Sequence, residues 1–98
     1  MKKEQIAEIG VDASGRLYVT PANGSYPFIY RSGMEVNWDE KGKFLFSPKP
    51  KEKTYAWWFK HILSAVSGEY GVSLVITSNT RWQNIEAKLK EEILQILQ

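Results

Sequence analysis

The chain has 98 residues and a formal charge of +2 at pH 7, with 43% hydrophobic, 13% aromatic and 24% charged residues. That is the make-up of one globular domain over 1–98, with enough apolar side chain for a core and too little net charge to mark a nucleic-acid binder by itself. The absence of cysteine excludes disulfides, thiolate metal sites and cysteine nucleophiles, and the lone histidine, His61, excludes any site needing two imidazoles from the same chain.

In chain order, Met1-Lys2-Lys3-Glu4-Gln5-Ile6 leads into no apolar signal-peptide stretch, and no apolar run approaches the ~20 residues of a membrane span. The expectation is a bacterial cytoplasmic protein with no membrane contact. Ile6, Ile9 and Val11, then Asp12-Ala13-Ser14-Gly15, then Leu17-Tyr18-Val19-Thr20 predict a hairpin: two β-prone runs about an Asp/Ser/Gly turn. Two prolines and Asn23-Gly24 make Pro21–Pro27 a surface loop. The run Phe28-Ile29-Tyr30 is too short to assign. A second hairpin is predicted from Met34–Trp38, a turn at Asp39–Gly42 and Lys43–Phe46. Alternation there places Met34, Val36 and Trp38 on one face, with Glu35 and Asn37 on the other.

After the proline-spaced basic linker Ser47–Lys53 the hydrophobic period changes from two to that of a helix. Thr54 is the expected N-cap of a helix over 55–70, stopped by Gly71. Its apolar face carries Tyr55, Trp58, Phe59, Ile62, Leu63, Val66 and Tyr70. Val72–Thr77 reads as a short strand. Thr80-Arg81-Trp82-Gln83 has capping-box spacing, with Asn84 a rival N-cap, so the last helix should bury Trp82, Ile85, Leu89, Ile93 and Ile96, with Glu86 and Lys90 paired outside. The order β-β-β-β-α-β-α predicts an α+β fold: a mostly antiparallel sheet of four to five strands with two helices packed on one face. Tyr18, Trp38, Phe44 and Phe46 would then leave large apolar side chains on the open sheet face, and a C2 homodimer would cover them.

Two residues break the pattern of the first helix. Trp57 falls opposite the apolar half, in line with His61, Ser64 and Gly68, where no main core requires it. With Trp58 and Tyr30 near, Trp57 and His61 can floor an aromatic pocket for a ligand or a partner's side chain. The structural alternative is a second small core, covered by the basic linker, by the Tyr26–Tyr30 segment or by another subunit. Glu69 projects toward the apolar half near the helix C-terminus, where negative charge opposes the macrodipole, and so needs a cation or hydrogen-bond donors: Arg16, Arg31 and Arg81 are the candidates, Arg31 first and Arg81 second. A small-molecule enzyme using Glu69 and His61 as acid and base is the rival reading. No nucleophile elbow, phosphate loop or dinucleotide fingerprint supports it, and no residue is assigned a catalytic role. No metal-ligand spacing occurs, and nothing in the sequence asks for a cofactor.

Residues 41–60 hold Lys41, Lys43, Lys49, Lys51, Lys53 and Lys60 against the single acid Glu52, interleaved with Phe44, Phe46, Tyr55 and Trp57. Lysines for phosphates and rings for stacking are what a single-stranded nucleic-acid surface needs. The segment lacks arginine, the commonest base reader, so a solvated loop guarding an edge strand is the more ordinary account. Nucleic acid is therefore the less favoured partner.

One further pattern spans roughly residues 8–85. Tyr30-Arg31-x-x-Met34-Glu35-Val36-x-Trp38-Asp39 is followed by Ser47-Pro48-x-Pro50, then Trp58-Phe59-x-x-Ile62, Glu69-Tyr70-Gly71 and Thr80-Arg81-Trp82. The set resembles the uncharacterised small bacterial α+β proteins carried on mobile elements as integron gene cassettes, and in style some toxin-immunity proteins. The resemblance implies a cytoplasmic accessory protein of unknown function, oligomeric in assembly, and transfers no site residues. The reading it supports is a non-enzymatic binding or interaction module with an aromatic contact patch.

Overall fold

A computed structural model describes residues 1–97. The chain forms β1 (Lys2–Val11), β2 (Leu17–Pro21), a single 3-10 turn (Ile29–Arg31), β3 (Asn37–Asp39), β4 (Phe44–Phe46), α1 (Tyr55–Tyr70), β5 (Val72–Val75), β6 (Arg81–Gln83) and α2 (Ala87–Ile96). The fold is α+β, with a mixed sheet ordered β3-β4-β2-β1-β5 and β6 also on β1. The β1–β2, β2–β4 and β3–β4 pairings are antiparallel; β5 and β6 both run parallel to β1.

The register decides which side chains meet. Trp82, Ile9, Val19, Leu45 and Trp38 lie in one row across five strands. Ile9, Val19 and Leu45 are fully buried, and α1 adds Trp58, Phe59, Ile62 and Val66 to the same core, with Ile93 from α2. The next row, Gln83, Gly10, Tyr18, Phe46 and Asn37, faces away from the helices. Gly10 lies under the Tyr18 ring, which occupies the space a Cβ would need. Tyr18 and Phe44 pack at 5.6 Å between centroids, and the Arg16 guanidinium covers Phe46 at 4.6 Å.

Local chemistry sets the turns. Asp12 Oδ1 accepts the Ser14 and Arg16 amides, both at 2.9 Å, while Gly15 takes a φ of 83° that a side chain would resist. Asp39 Oδ1 plays the same part in the second hairpin, accepting from Lys41 and Gly42. The Thr54 hydroxyl accepts the Trp57 amide at 3.0 Å and caps α1, which ends at left-handed Gly71.

Three expectations need correction. Thr80–Gln83 does not start the last helix: Arg81–Gln83 is a sixth strand, giving the order β-β-β-β-α-β-β-α, and α2 begins at Ala87. The reason is tertiary. β5 pairs with β1 only from Lys2 to Gln5, which leaves the edge beyond Ile6 open, and Glu8–Gly10 take β6 there. Against β2, β1 bulges at Ala7; on its other edge, in the gap between the β5 and β6 pairings, the buried Thr80 hydroxyl donates to the Ile6 carbonyl at 2.7 Å. Asn84 caps no helix; it sits at φ 56° with its side-chain amide 3.3 Å from the Val11 carbonyl, and the Lys90 ammonium lies over Trp82.

Met34 does not share a strand face with Val36 and Trp38. The chain turns through Glu35 at φ 63°, so Met34 is 78% exposed and β3 starts only at Asn37. Trp38, in turn, belongs to the inner row, edge-on to Tyr26 at 5.8 Å, and not to the open face.

Candidate functional site

The chain from Phe28 to Met34 runs antiparallel beside α1. The Phe28 amide donates to the Tyr70 hydroxyl at 2.8 Å, Ser32 to Glu69 at 2.8 Å, and His61 Nε2 lies 3.1 Å from the Met34 carbonyl. Gly33 permits the approach, since a Cβ there would sit 2.7 Å from that of Ala65. The result is a strip along the outer side of α1 bearing Phe28, Tyr30, Met34 and Trp57, all exposed.

At the Met34 end of this strip, beside the N-terminus of α1, the linker closes a cleft of about 570 Å³, lined by Met34, Glu35, Pro48, Lys49, Lys51, Glu52, Lys53, Trp57, Trp58 and His61. Helical spacing builds its floor: Trp57 and His61, one turn apart, stack at 4.8 Å with planes inclined by 20°. Trp58, 6% exposed, stands edge-on to both. A carbonyl only accepts, so Nε2 carries the hydrogen that His61 shares with Met34 O, and this fixes the imidazole against the indole. Trp57 keeps 39% of its surface exposed, and the Lys53 ammonium lies 5.1 Å from its ring centroid.

The cations differ in their state. Arg16, Arg31, Lys43 and Arg81 each approach a carboxylate, of Asp12, Glu69, Glu40 and Glu8 respectively. Lys49, Lys51 and Lys53 have no ion-pair partner among the described residues, although Glu35 and Glu52 share their cleft. A flat aromatic surface beside unpaired cations in a cavity of this size is suited to holding a ring with an anionic group.

Of the residues singled out in the sequence, Trp57, Trp58 and His61 meet here with Lys49, Lys51 and Lys53. Tyr30, Arg31 and Glu69 lie at the far end of the strip. There Glu69 accepts from Ser32 and stands 3.9 Å from Arg31, whose guanidinium also covers Phe28 at 4.5 Å. Arg81 and Arg16 are engaged elsewhere. Ser64 and Lys60 line a separate groove with Leu97, and Lys43 sits in the β3–β4 turn with Glu40. Sequence reasoning missed Met34, Glu35 and Glu52 as cleft residues. The Ser32-Gly33 turn signal was the available clue that the chain does not extend straight into β3.

A second cluster is structural. Glu4 accepts from Asn23, Gly24 and the Tyr26 hydroxyl and ties the Ala22–Tyr26 loop to β1. Burial pushes the Glu4 carboxyl up, but the Tyr26 hydroxyl, the two amides and Lys2 together pull it further down, so it lies below the ordinary 4.5. Burial and the Glu8 carboxylate push the Tyr18 hydroxyl up to about 12.

The family model for Integron Cassette Protein Hfx_Cass5 matches residues 4–80. The chain belongs to the Hfx_Cass5 integron cassette protein family. A solved structure described as "Structure from the mobile metagenome of North West Arm Sewage Outfall: Integron Cassette Protein Hfx_Cass5" is similar to it, with 43% identity over 99% of this chain and 97% of that chain, and a TM-score of 0.50. None of the curated proteins matches. The match to the Hfx_Cass5 family covers every residue of the cleft and stops before α2. Among the described residues, no helix is long and apolar enough to cross a membrane.

Proposed function

We propose that this Hfx_Cass5 family member is a non-enzymatic binding module of the bacterial cytoplasm, an accessory protein of a mobile gene cassette whose contact site is the Trp57–His61 cleft. The observation that carries this reading is the stacked Trp57–His61 pair left open beside three lysines with no ion-pair partner among the described residues. Fully packed aromatic clusters stabilise a core; one with 39% of an indole in solvent keeps contact area for something else. The acid–base alternative has less support. His61 and Glu69 are eight residues apart on α1, about 12 Å along the axis, and bond to different partners.

Titration with 1-anilinonaphthalene-8-sulfonate, an aromatic anion, tests the module. Saturable binding should weaken about fivefold in Trp57→Ala, the loss of one aromatic contact worth ~1 kcal/mol. Binding that ignores Trp57 overturns the reading. Self-association belongs to the same proposal: Tyr18, Phe44 and Phe46 on the outer sheet face are where a second copy would pack. Sedimentation equilibrium at micromolar concentration should show a dimer, and a single 11.3 kDa species counts against it.

A further inference from the structure

Resting on the binding role of the Trp57–His61 cleft, we infer that its ligand is a nucleotide unit whose base carries an exocyclic amino group. The floor of the cleft favours a flat ring. Trp57 and His61 already lie nearly parallel, and an added aromatic ring extends that stack over the exposed indole, the geometry by which single-stranded nucleic acids are held on aromatic side chains. The Lys53 ammonium lies 5.1 Å from the Trp57 ring centroid, and a flexible lysine side chain can swing from the ring to a phosphate. Lys49 and Lys51 lie on the same rim. Lys49, Lys51 and Lys53 against Glu52 leave this five-residue stretch at a net +2, more than a single carboxylate requires and enough to meet the charge of a phosphate monoester.

The acids of the cleft separate this ligand from an acidic peptide. Glu35 and Glu52 line the cavity with no cation within ion-pair distance among the described residues. They would repel a second carboxylate. A base amino group, by contrast, donates to such an acceptor, as the amino group of cytosine does to glutamate. One site then offers a stacking surface, a phosphate rim and acceptors for an amino edge.

Cytidine monophosphate, uridine monophosphate, cytidine and ribose 5-phosphate should be titrated against the wild type, following the Trp57 indole N–H by NMR. Cytidine monophosphate is expected to bind about tenfold more tightly than ribose 5-phosphate, which lacks the ring, and more tightly than cytidine, which lacks the phosphate. It should also exceed uridine monophosphate, and Glu35→Gln/Glu52→Gln should narrow that gap. Followed by the His61 ring protons, since these variants lack the indole, Trp57→Phe should keep most of the affinity and Trp57→Ala should lose about tenfold. Replacing Lys49, Lys51 and Lys53 with glutamine should flatten the salt dependence. A fluorescein-labelled d(C)15 strand identifies the source of the nucleotide: tighter binding than the monophosphate, with a steep salt slope, points to a strand, and equal binding to the free nucleotide. Ribose 5-phosphate binding as well as cytidine monophosphate overturns the proposal, as does equal competition by an oligoglutamate peptide. If no nucleotide binds while anilinonaphthalene sulfonate still depends on Trp57, the nucleotide assignment fails and the binding module stands. If neither binds, both fail.

Discussion

Glu69 shows how exposure sets the worth of an ion pair. Its side chain is 20% exposed and that of Arg31 is 57% exposed, at a separation of 3.9 Å, so water screens the attraction. Glu69→Gln keeps an oxygen that can accept from Ser32 and should cost no more than about 1 kcal/mol in urea melts. A loss of several kcal/mol would mean a desolvated charge pair instead. Gly10 is the opposite case. It is buried, and a Cβ would enter the space of the Tyr18 ring, which is itself held by its hydroxyl bond to Glu8. Gly10→Ala should therefore cost about 1–3 kcal/mol, and the double variant with Tyr18→Ala should recover part of the overpacking. An additive double variant would show that the two positions do not meet.

At the scale of elements, the junction between β5 and β6 depends on one hydroxyl. Thr80 donates to the Ile6 carbonyl at 2.7 Å and accepts the Thr77 amide at 2.9 Å, with 7% of the residue exposed. Thr80→Val preserves shape and β-propensity but leaves a buried acceptor and a donor unpartnered, a loss of about 1–3 kcal/mol. Amide hydrogen exchange should quicken in β6 more than in the β1–β2 hairpin, because the former holds only three paired positions. Uniform protection across the sheet would contradict this role. The same comparison explains why the capping-box spacing misled: Thr80 has the chemistry of an N-cap, and spends its hydroxyl on a strand junction.

Across the whole molecule, carboxylates that the fold holds below their ordinary values make stability depend on pH. Burial raises Glu4 and Asp12, but hydrogen bonds outweigh it: those of Tyr26, Gly24 and Asn23 to Glu4, and those of Arg16 and Ser14 to Asp12. A depressed group contributes stability that is present above its unfolded value and lost as pH falls through the folded one. The urea midpoint should then hold steady above pH 5 and decline as pH drops below the ordinary values of 4.5 and 3.8. Glu4→Gln should start lower near neutrality and show a shallower acid decline. An unchanged slope in that variant would remove Glu4 from the account.

Local chemistry alone determined the parts whose bonds close within a few residues. The Asp12–Gly15 and Asp39–Gly42 turns, the Thr54 cap, the buried face of α1 and its stop at Gly71 all rest on such short-range bonds or on helical spacing. The same spacing singled out Trp57 and His61, because a helix of fixed pitch leaves no choice about which side they share. Tertiary structure decided what depends on an edge or a surface offered by distant residues. Arg81–Gln83 became a strand because β1 had unpaired backbone groups beyond Ile6, a demand stronger than three residues' helical preference. Trp38 turned inward by register, and Met34 outward because Glu35 took a left-handed turn. The lysines reached Trp57 only because the prolines of the linker lead the chain back over α1, a placement that no local periodicity encodes.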